Sequence, residues 1–136
     1  MLNPPTPPMA DAGNRKLKEK ARSSIVRRGL VGAANDTKWN ELITFMRQLP
    51  DWRPSWRCKS VNGHISDWDV EWWWHLPFPF VGVEWFDIGL HDGAGNDQSS
   101  WILGKLRDIG FEFEVAGDVV RLFGYLPKSF EDFPPA

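Results

Sequence analysis

Acids and a histidine lie close together in the stretch "DWDVEWWWH", residues 67–75. Glu71 and His75, joined by Glu84 or Asp87 from a later segment, would suit general acid–base catalysis if the fold placed them in one cleft. The chain has no His-Glu-x-x-His or Cys-x-x-Cys motif, so we expect no metal site. A small hydrolase-like enzyme is therefore one function that these residues indicate, although no motif names its reaction.

The glycine-rich and cysteine-containing stretches give no sign of a cofactor. The loop "HDGAGND" lacks the glutamate that completes an EF-hand, and it has neither a P-loop lysine nor a complete dinucleotide fingerprint. Cys58 falls on the apolar side of a predicted strand, which is typical of an inert buried thiol rather than a nucleophile. We therefore expect no cofactor.

Helical and strand-like patterns follow each other along the chain. Apolar residues recur every three or four positions from Trp39 to Leu49 and predict a helix that Pro50 ends. A second helix is predicted for "SWILGKLRDIG", with Gly110 at its end. Strands are predicted at residues 55–61, 66–75, 80–90, 111–115 and 119–126. The order αβββαββ predicts an α+β fold with two layers, a mainly antiparallel sheet of about five strands and two helices.

Alternation along the strand at 66–75 predicts which side chains are buried. Trp68, Trp72 and Trp74 share one apolar face and are assigned to the core, whereas Glu71, Trp73 and His75 share the other. A three-residue loop, Asn62 to His64, would place Lys59 opposite Asp67 and Arg57 opposite Asp69. That register pairs charges on one face and apolar groups on the other, so burial should select it.

The third strand extends this second face. If Val81, Val83 and Trp85 point inward, Glu84 and Phe86 point outward beside the preceding strand. The sequence thus predicts an acidic and aromatic sheet face that is suited to a protein partner. The partner-binding residues that we assign to it are Glu71, Trp73, His75, Glu84 and Phe86.

Charge and composition divide the chain into three parts. Residues 1–35 are predicted to be a disordered arm that is proline-rich and then basic, with a net charge of +6 over residues 15–28. Residues 36–128 are predicted to be a single α+β domain, and residues 129–136 a C-terminal tail. From residue 36 onward, nine Lys/Arg face sixteen Asp/Glu, a net charge of −7. This acidic body opposes nucleic-acid binding, which is expected only through residues 15–28 if at all.

The same composition indicates a compartment. The chain has one cysteine, which excludes an intramolecular disulfide and fits a reducing cytosol. It has no long apolar run and no apolar stretch near its N-terminus, so we expect neither a membrane span nor a secretory signal. The expected location is the cytoplasm.

Several stretches together resemble a small bacterial family of unknown function. They are "KWNELITFM", "WRPSWRCKSVNGHISDWDVEWWWH", "VEWFDI" and "RLFGYL", which together cover roughly residues 36–126. Trp68, Asp69, Glu71 and Trp72 form the most specific part of the resemblance, and it implies no catalytic residues. The size and acidic α+β character are also similar in class to bacterial toxin-immunity proteins. The function expected first is therefore a cytoplasmic, non-enzymatic protein-binding module, such as an immunity or inhibitor protein for a basic toxin.

Overall fold

The computed structural model describes residues 6–135 and has an α+β fold. The helices are α1 (Arg15–Arg28), α2 (Asp36–Arg47) and α3 (Ser99–Ile109), with a short 3-10 helix at Phe80–Gly82. The strands are β1 (Val31–Gly32), β2 (Trp56–Ser60), β3 (Val83–Gly89), β4 (Phe113–Ala116), β5 (Val119–Phe123) and β6 (Tyr125–Leu126). The predicted fold class is confirmed.

An antiparallel sheet in the order β2-β3-β5-β4 forms the centre of the molecule, and β1 pairs with β6 in a separate two-stranded sheet. Helices α2 and α3 pack on one face of the four-stranded sheet. The predicted apolar face of α2 is confirmed, because Trp39, Leu42, Ile43 and Met46 are all buried in the main core. This face and the sheet share an aromatic cluster in which the Trp39 ring lies 5.8 Å from the Phe86 ring.

The predicted strand at residues 66–75 is absent. Residues 64–69 form an irregular return beside β2, with isolated bridges between Trp56 and Asp69 and between Lys59 and Ile65. The chain then turns instead of extending. The physical reason is that acidic side chains in this segment accept backbone hydrogen bonds that a strand would give to its neighbour.

The predicted register beside β2 is also wrong. Trp56 faces Asp69 rather than Val70, and the Arg57 guanidinium lies 5.4 Å from the centre of the Trp68 ring. Arg57 pairs with Asp87 of β3 at 3.0 Å instead of with Asp69. The predicted register pairs the charges of this hairpin with each other, whereas in the structure the neighbouring strand β3 supplies the partner of Arg57.

A bulge in β3 overturns the predicted faces of that strand. Lys59 is opposite Trp85 and Ser60 is opposite Val83, so Glu84 is an additional residue in the pairing. After this bulge Phe86 points into the helix-covered core and is fully buried, and Glu84 is only 3% exposed. The expectation that both residues lie on an open sheet face is therefore wrong.

The N-terminal region does not form the predicted disordered arm over residues 6–35. Helix α1 occupies residues 15–28 and begins with Asn14, whose side chain accepts the Leu17 backbone N–H. The helix buries Ala21 and Ser24, and Ala10 before it is fully buried in the main core. Residues 1–5 of the predicted arm lie outside the described residues. The basic residues of this region predict a solvated segment, but the small residues Ala21 and Ser24 among them allow α1 to pack closely.

The C-terminal segment, residues 129–135, covers the face of the four-stranded sheet that α2 and α3 leave open. Arg121 of β5 donates to the carbonyl oxygens of Ser129 (3.0 Å) and Glu131 (2.7 Å), and Arg57 donates to the carboxylate of Asp132 (2.8 Å). The Arg121 guanidinium also lies 4.6 Å from the centre of the Phe133 ring. The predicted tail therefore packs along the sheet, and this face does not offer an open binding surface.

Candidate functional site

The backbone of residues 67–75, here called the tryptophan loop, is organised by two carboxylates. Asp69 Oδ1 accepts the backbone N–H groups of Val70 (2.7 Å) and Glu71 (2.9 Å). The Glu71 carboxylate accepts the backbone N–H groups of Trp73 (2.6 Å), Trp74 (2.7 Å) and His75 (2.9 Å). Partial burial opposes ionisation of Glu71, but these hydrogen bonds outweigh it and lower its pKa. The ionised Glu71 side chain thus stabilises the turn formed by residues 71–75.

Side chains from α2 and from the residues that follow it hold the tryptophan loop in place. The Arg47 guanidinium donates to the carbonyl oxygens of Trp72 (2.8 Å) and Trp73 (3.1 Å). The Trp72 ring is fully buried in the core, and its Nε1 donates to the carbonyl oxygen of Pro54 at 2.9 Å. Arg53 stacks over the Trp73 ring at 4.6 Å. These contacts fix the loop before any partner binds.

Large apolar side chains are exposed on this fixed loop. Trp68 is 41% exposed, Val70 is 65% exposed and Trp74 is 53% exposed. The contact between Asp69 Oδ2 and His75 Nδ1, at 2.9 Å, closes the segment that carries Val70 and Trp74. Apolar and aromatic side chains on a preorganised acidic loop have the composition of a protein-contact surface.

The sequence assigned two of these side chains to the core. Trp68 and Trp74 were predicted to share a buried face with Trp72, and only Trp72 is buried. The error follows from the missing strand, since alternation defines faces only where the backbone is extended. A usable signal was present: the Asp69 side chain can accept a backbone N–H group two residues further on, and Pro77 and Pro79 follow the stretch closely.

The five predicted binding residues do not come together. Glu71, Trp73 and His75 belong to the tryptophan loop, with only His75 largely exposed. Glu84 pairs with Arg28 of α1 at 2.7 Å and 3.0 Å, and Phe86 is buried in the core. No acid–base cluster of Glu71, His75 and Glu84 is therefore assembled.

Asp87, the other acid considered for catalysis, is committed to structure. Its carboxylate is fully buried and contacts the guanidinium groups of Arg57 and Arg121. Cys58 is buried as predicted, and this burial raises the pKa of its thiol to about 11. The Asp87 carboxylate is thus occupied by two guanidinium groups, and the Cys58 thiol is not poised for nucleophilic attack near neutral pH.

Two further features are absent from residues 6–135. No three His, Cys, Asp or Glu side chains in this range are placed to hold a metal ion. None of the helices described there is long and apolar enough to cross a membrane.

A model for a family of unknown function (DUF6678) matches residues 21–129. The chain belongs to this family. The matched region begins inside α1 and ends at the start of the C-terminal segment, so the family includes the second half of the helix that the sequence analysis placed in a disordered arm. It also contains the whole tryptophan loop. No curated protein and no solved structure matches the chain.

Proposed function

We propose that the chain is a cytoplasmic, non-enzymatic protein-binding module and that the tryptophan loop is its contact surface. The observation that carries this proposal is the exposure of Trp68, Val70 and Trp74 on a loop whose backbone is already fixed. Exposed tryptophan in a soluble domain is costly, and a rigid aromatic anchor loses little conformational entropy on binding. The proposed contact surface is therefore the tryptophan loop and not the sheet face that the sequence indicates.

The charge of the chain favours a basic partner. Asp67, Asp69 and Glu71 lie in the loop itself, and the folded chain with the basic helix α1 included still carries a net charge of −2. Such a field attracts a positively charged protein and raises its association rate at low salt. An immunity or inhibitor protein for a basic toxin is the specific form of binding module that we infer, because rapid capture is what such a protein requires.

The test uses the full chain as bait in an extract of its native cells. We expect one stoichiometric, basic partner to be captured by the wild type and lost with the Val70→Ser/Trp74→Ala double variant. Truncating an anchor of this kind costs about 2 kcal/mol or more, so the purified partner should bind the double variant roughly thirtyfold more weakly. Its association rate with the wild type should fall as salt is raised.

Val26→Ser is the matched control. Val26 is 79% exposed, lies on α1 and is no part of the loop, so its loss should leave partner binding within about twofold of wild type. A partner that binds the double variant as tightly as the wild type would show that the loop is not the contact surface. Failure to capture any stoichiometric partner would refute the binding-module proposal itself.

A further inference from the structure

Helix α1 carries positive charge that the rest of the fold does not compensate. Its residues 15–28 include seven Lys/Arg and one Glu, a net charge of +6. Arg15 pairs with Glu19 of the same helix at 3.4 Å, and Arg28 pairs with Glu84 of β3 at 2.7 Å. The other five cations of α1 form no ion pair with any residue in the range 6–135. They are Lys16, Lys18, Lys20, Arg22 and Arg27.

The nine Lys and Arg side chains outside α1 all have partners within the described part of the chain. Four pair with carboxylates, as Arg121 does. Three donate to backbone carbonyl oxygens, as Lys38 does at 2.8 Å. Two lie over aromatic rings, as Lys105 does at 5.0 Å. The cations without an acidic, carbonyl or aromatic partner are thus confined to α1, which sets this surface apart from an ordinary solvated face.

The order of charges along α1 is unfavourable for the helix itself. Arg15, Lys16 and Lys18 lie near the N-terminus of the helix, where the positive end of the helix dipole repels cations, and the first turn has no acidic residue. Lys20 follows Lys16 by four residues and Arg22 follows Lys18 by four, so two like-charged pairs lie side by side. A polyanion bound along α1 would relieve both kinds of repulsion.

Three of these cations lie in one line. Lys16, Lys20, Ser23 and Arg27 recur at intervals of four, three and four residues, so they share one side of α1 over about 16 Å. All four are exposed, and we call them the basic stripe. The helix is fixed to the domain from another side, where Ala21 is buried. The basic stripe is therefore a preorganised row of donors that faces solvent.

The composition of α1 discriminates between polyanions. Its exposed apolar residues, Leu17 and Val26, are nine positions apart and so lie on opposite sides of the helix, whereas a helix on a membrane surface needs a continuous apolar face. Residues 15–28 include no aromatic side chain, although single strands are bound by stacking on aromatic rings and protein interfaces favour aromatic anchors over lysine. A duplex carries one phosphate charge per about 1.7 Å of its axis, which fits a straight row of cations.

We propose that α1 binds the phosphate backbone of a double-stranded nucleic acid, with Lys16, Lys20 and Arg27 on phosphate oxygens and Ser23 as a neutral donor. Backbone contacts position a protein without reading bases, so this contact has no sequence preference. Screening confines the repulsion by acidic residues elsewhere in the chain to about 10 Å at 0.1 M salt, and the local charge of α1 then governs the contact. The inference is independent of the protein contact proposed above, because the tryptophan loop contains no residue of the basic stripe.

The test is a titration of a fluorescent DNA duplex of about 20 base pairs with the full chain, followed by anisotropy at a series of salt concentrations. Three phosphate contacts predict that the logarithm of the affinity falls with the logarithm of the salt concentration with a slope of about −2.7. Affinity should therefore drop about fortyfold between about 50 and about 200 mM salt. One strand of the same duplex should bind more weakly, and vesicles that contain phosphatidylglycerol should not bind at the chain concentration that saturates the duplex.

Lys16→Gln/Lys20→Gln should weaken duplex binding by about tenfold or more at about 50 mM salt and make the salt slope shallower by about 2. Lys105→Gln/Arg107→Gln is the matched control, since it removes the same charge from α3 and should stay within about threefold of wild type. Far-UV circular dichroism checks that each variant is folded.

Four results would overturn the proposal. They are the absence of duplex binding by the wild type up to about 100 μM at low salt, a wild-type salt slope shallower than about −1, an equal loss of affinity in both variants, and binding to the vesicles or the single strand that is as tight as binding to the duplex. An equal loss in both variants would mean that net charge acts without a defined contact on α1.

Discussion

Asp87 and Arg121 form a two-point ion pair in which neither side chain is exposed to solvent. Asp87 Oδ1 lies 2.7 Å from Arg121 Nε, and Oδ2 lies 3.0 Å from Nη2. The same carboxylate receives Arg57 Nε at 3.0 Å, and the Arg121 guanidinium lies 3.5 Å from the centre of the Trp85 ring. The Asp87 carboxylate therefore compensates the positive charges of Arg57 on β2 and Arg121 on β5, beneath the C-terminal segment.

Removal of this carboxylate should be strongly destabilising. Asp87→Ala leaves Arg121 buried without its partner, and breaking a buried pair in this way costs about 3–5 kcal/mol. We expect the free energy of unfolding, measured by urea titration, to fall by that amount. Asp108→Ala, which removes an exposed carboxylate from α3, should change it by less than about 0.5 kcal/mol. A loss below about 1 kcal/mol for Asp87→Ala would contradict the buried pairing.

Helix α1 should be held to the domain by Glu84. The Glu84 carboxylate binds Arg28 at 2.7 Å and 3.0 Å, this hydrogen-bonded contact raises the pKa of Arg28, and Arg28 also donates to the carbonyl oxygen of Val61. Glu84→Gln weakens a charged hydrogen bond, so local opening of α1 should increase about tenfold. Trypsin cleavage after Arg27 and Arg28, followed by mass spectrometry, measures this opening.

Glu19→Gln provides the comparison for that experiment. Glu19 is exposed and pairs with Arg15 of the same helix at 3.4 Å, so its loss should alter cleavage by less than about threefold. If both variants were cleaved at the same rate as the wild type, α1 would not depend on the Glu84 contact.

The parts of the fold that could be predicted are those set by local periodicity. The spacing of Trp39, Leu42, Ile43 and Met46 identifies the buried face of α2, because neighbours along a helix determine which side chains share a face. The α+β class followed from the same patterns. In β3, by contrast, one additional residue at Glu84 reverses the alternation, and the sequence carries no mark of that bulge.

The candidate site was predicted only in its position along the chain. The sequence singled out residues 67–75, but it assigned Trp68 and Trp74 to the core because it treated the segment as a strand. Contacts with residues far along the chain, such as Arg47 on the carbonyl oxygen of Trp72, decide which tryptophan is buried. An apolar cavity of about 240 Å³, lined by Leu17 and Ala21 of α1 and by Trp56 and Phe78, could not be predicted either, because the sequence predicts no helix at α1.

The Cys58 thiol should be unreactive in the folded chain. Burial raises its pKa to about 11, so little thiolate forms near neutral pH and the sulfur is also shielded from reagents. We expect reaction with a disulfide reagent such as dithionitrobenzoate to be at least about a hundredfold slower in the native chain than in urea, as local opening must precede it. Immediate labelling of the native chain would show that the segment around Ser66 does not close over this sulfur.

The tryptophan loop should depend on the ionised form of Glu71. Its pKa is lowered from the ordinary value of 4.5, because backbone hydrogen bonds from His75, Trp73 and Trp74 outweigh the opposing effect of burial. A carboxyl group whose pKa is lower in the folded state stabilises the fold when the pH is above its pKa in the unfolded chain. This stabilisation is lost as the pH falls through its pKa in the folded chain. Glu71→Gln should therefore cost about 1 kcal/mol at neutral pH, as loss of a capping carboxylate does.

The difference between wild type and Glu71→Gln should shrink as the pH falls below about 4.5, because the wild-type carboxylate becomes protonated there. Urea titrations at a series of pH values from neutral to about 3, read by tryptophan fluorescence, measure this change. Glu41→Gln, an exposed position on α2, should stay within about 0.5 kcal/mol of wild type throughout. A difference for Glu71→Gln that stays constant across the acid range would mean that the charge on Glu71 does not organise the loop.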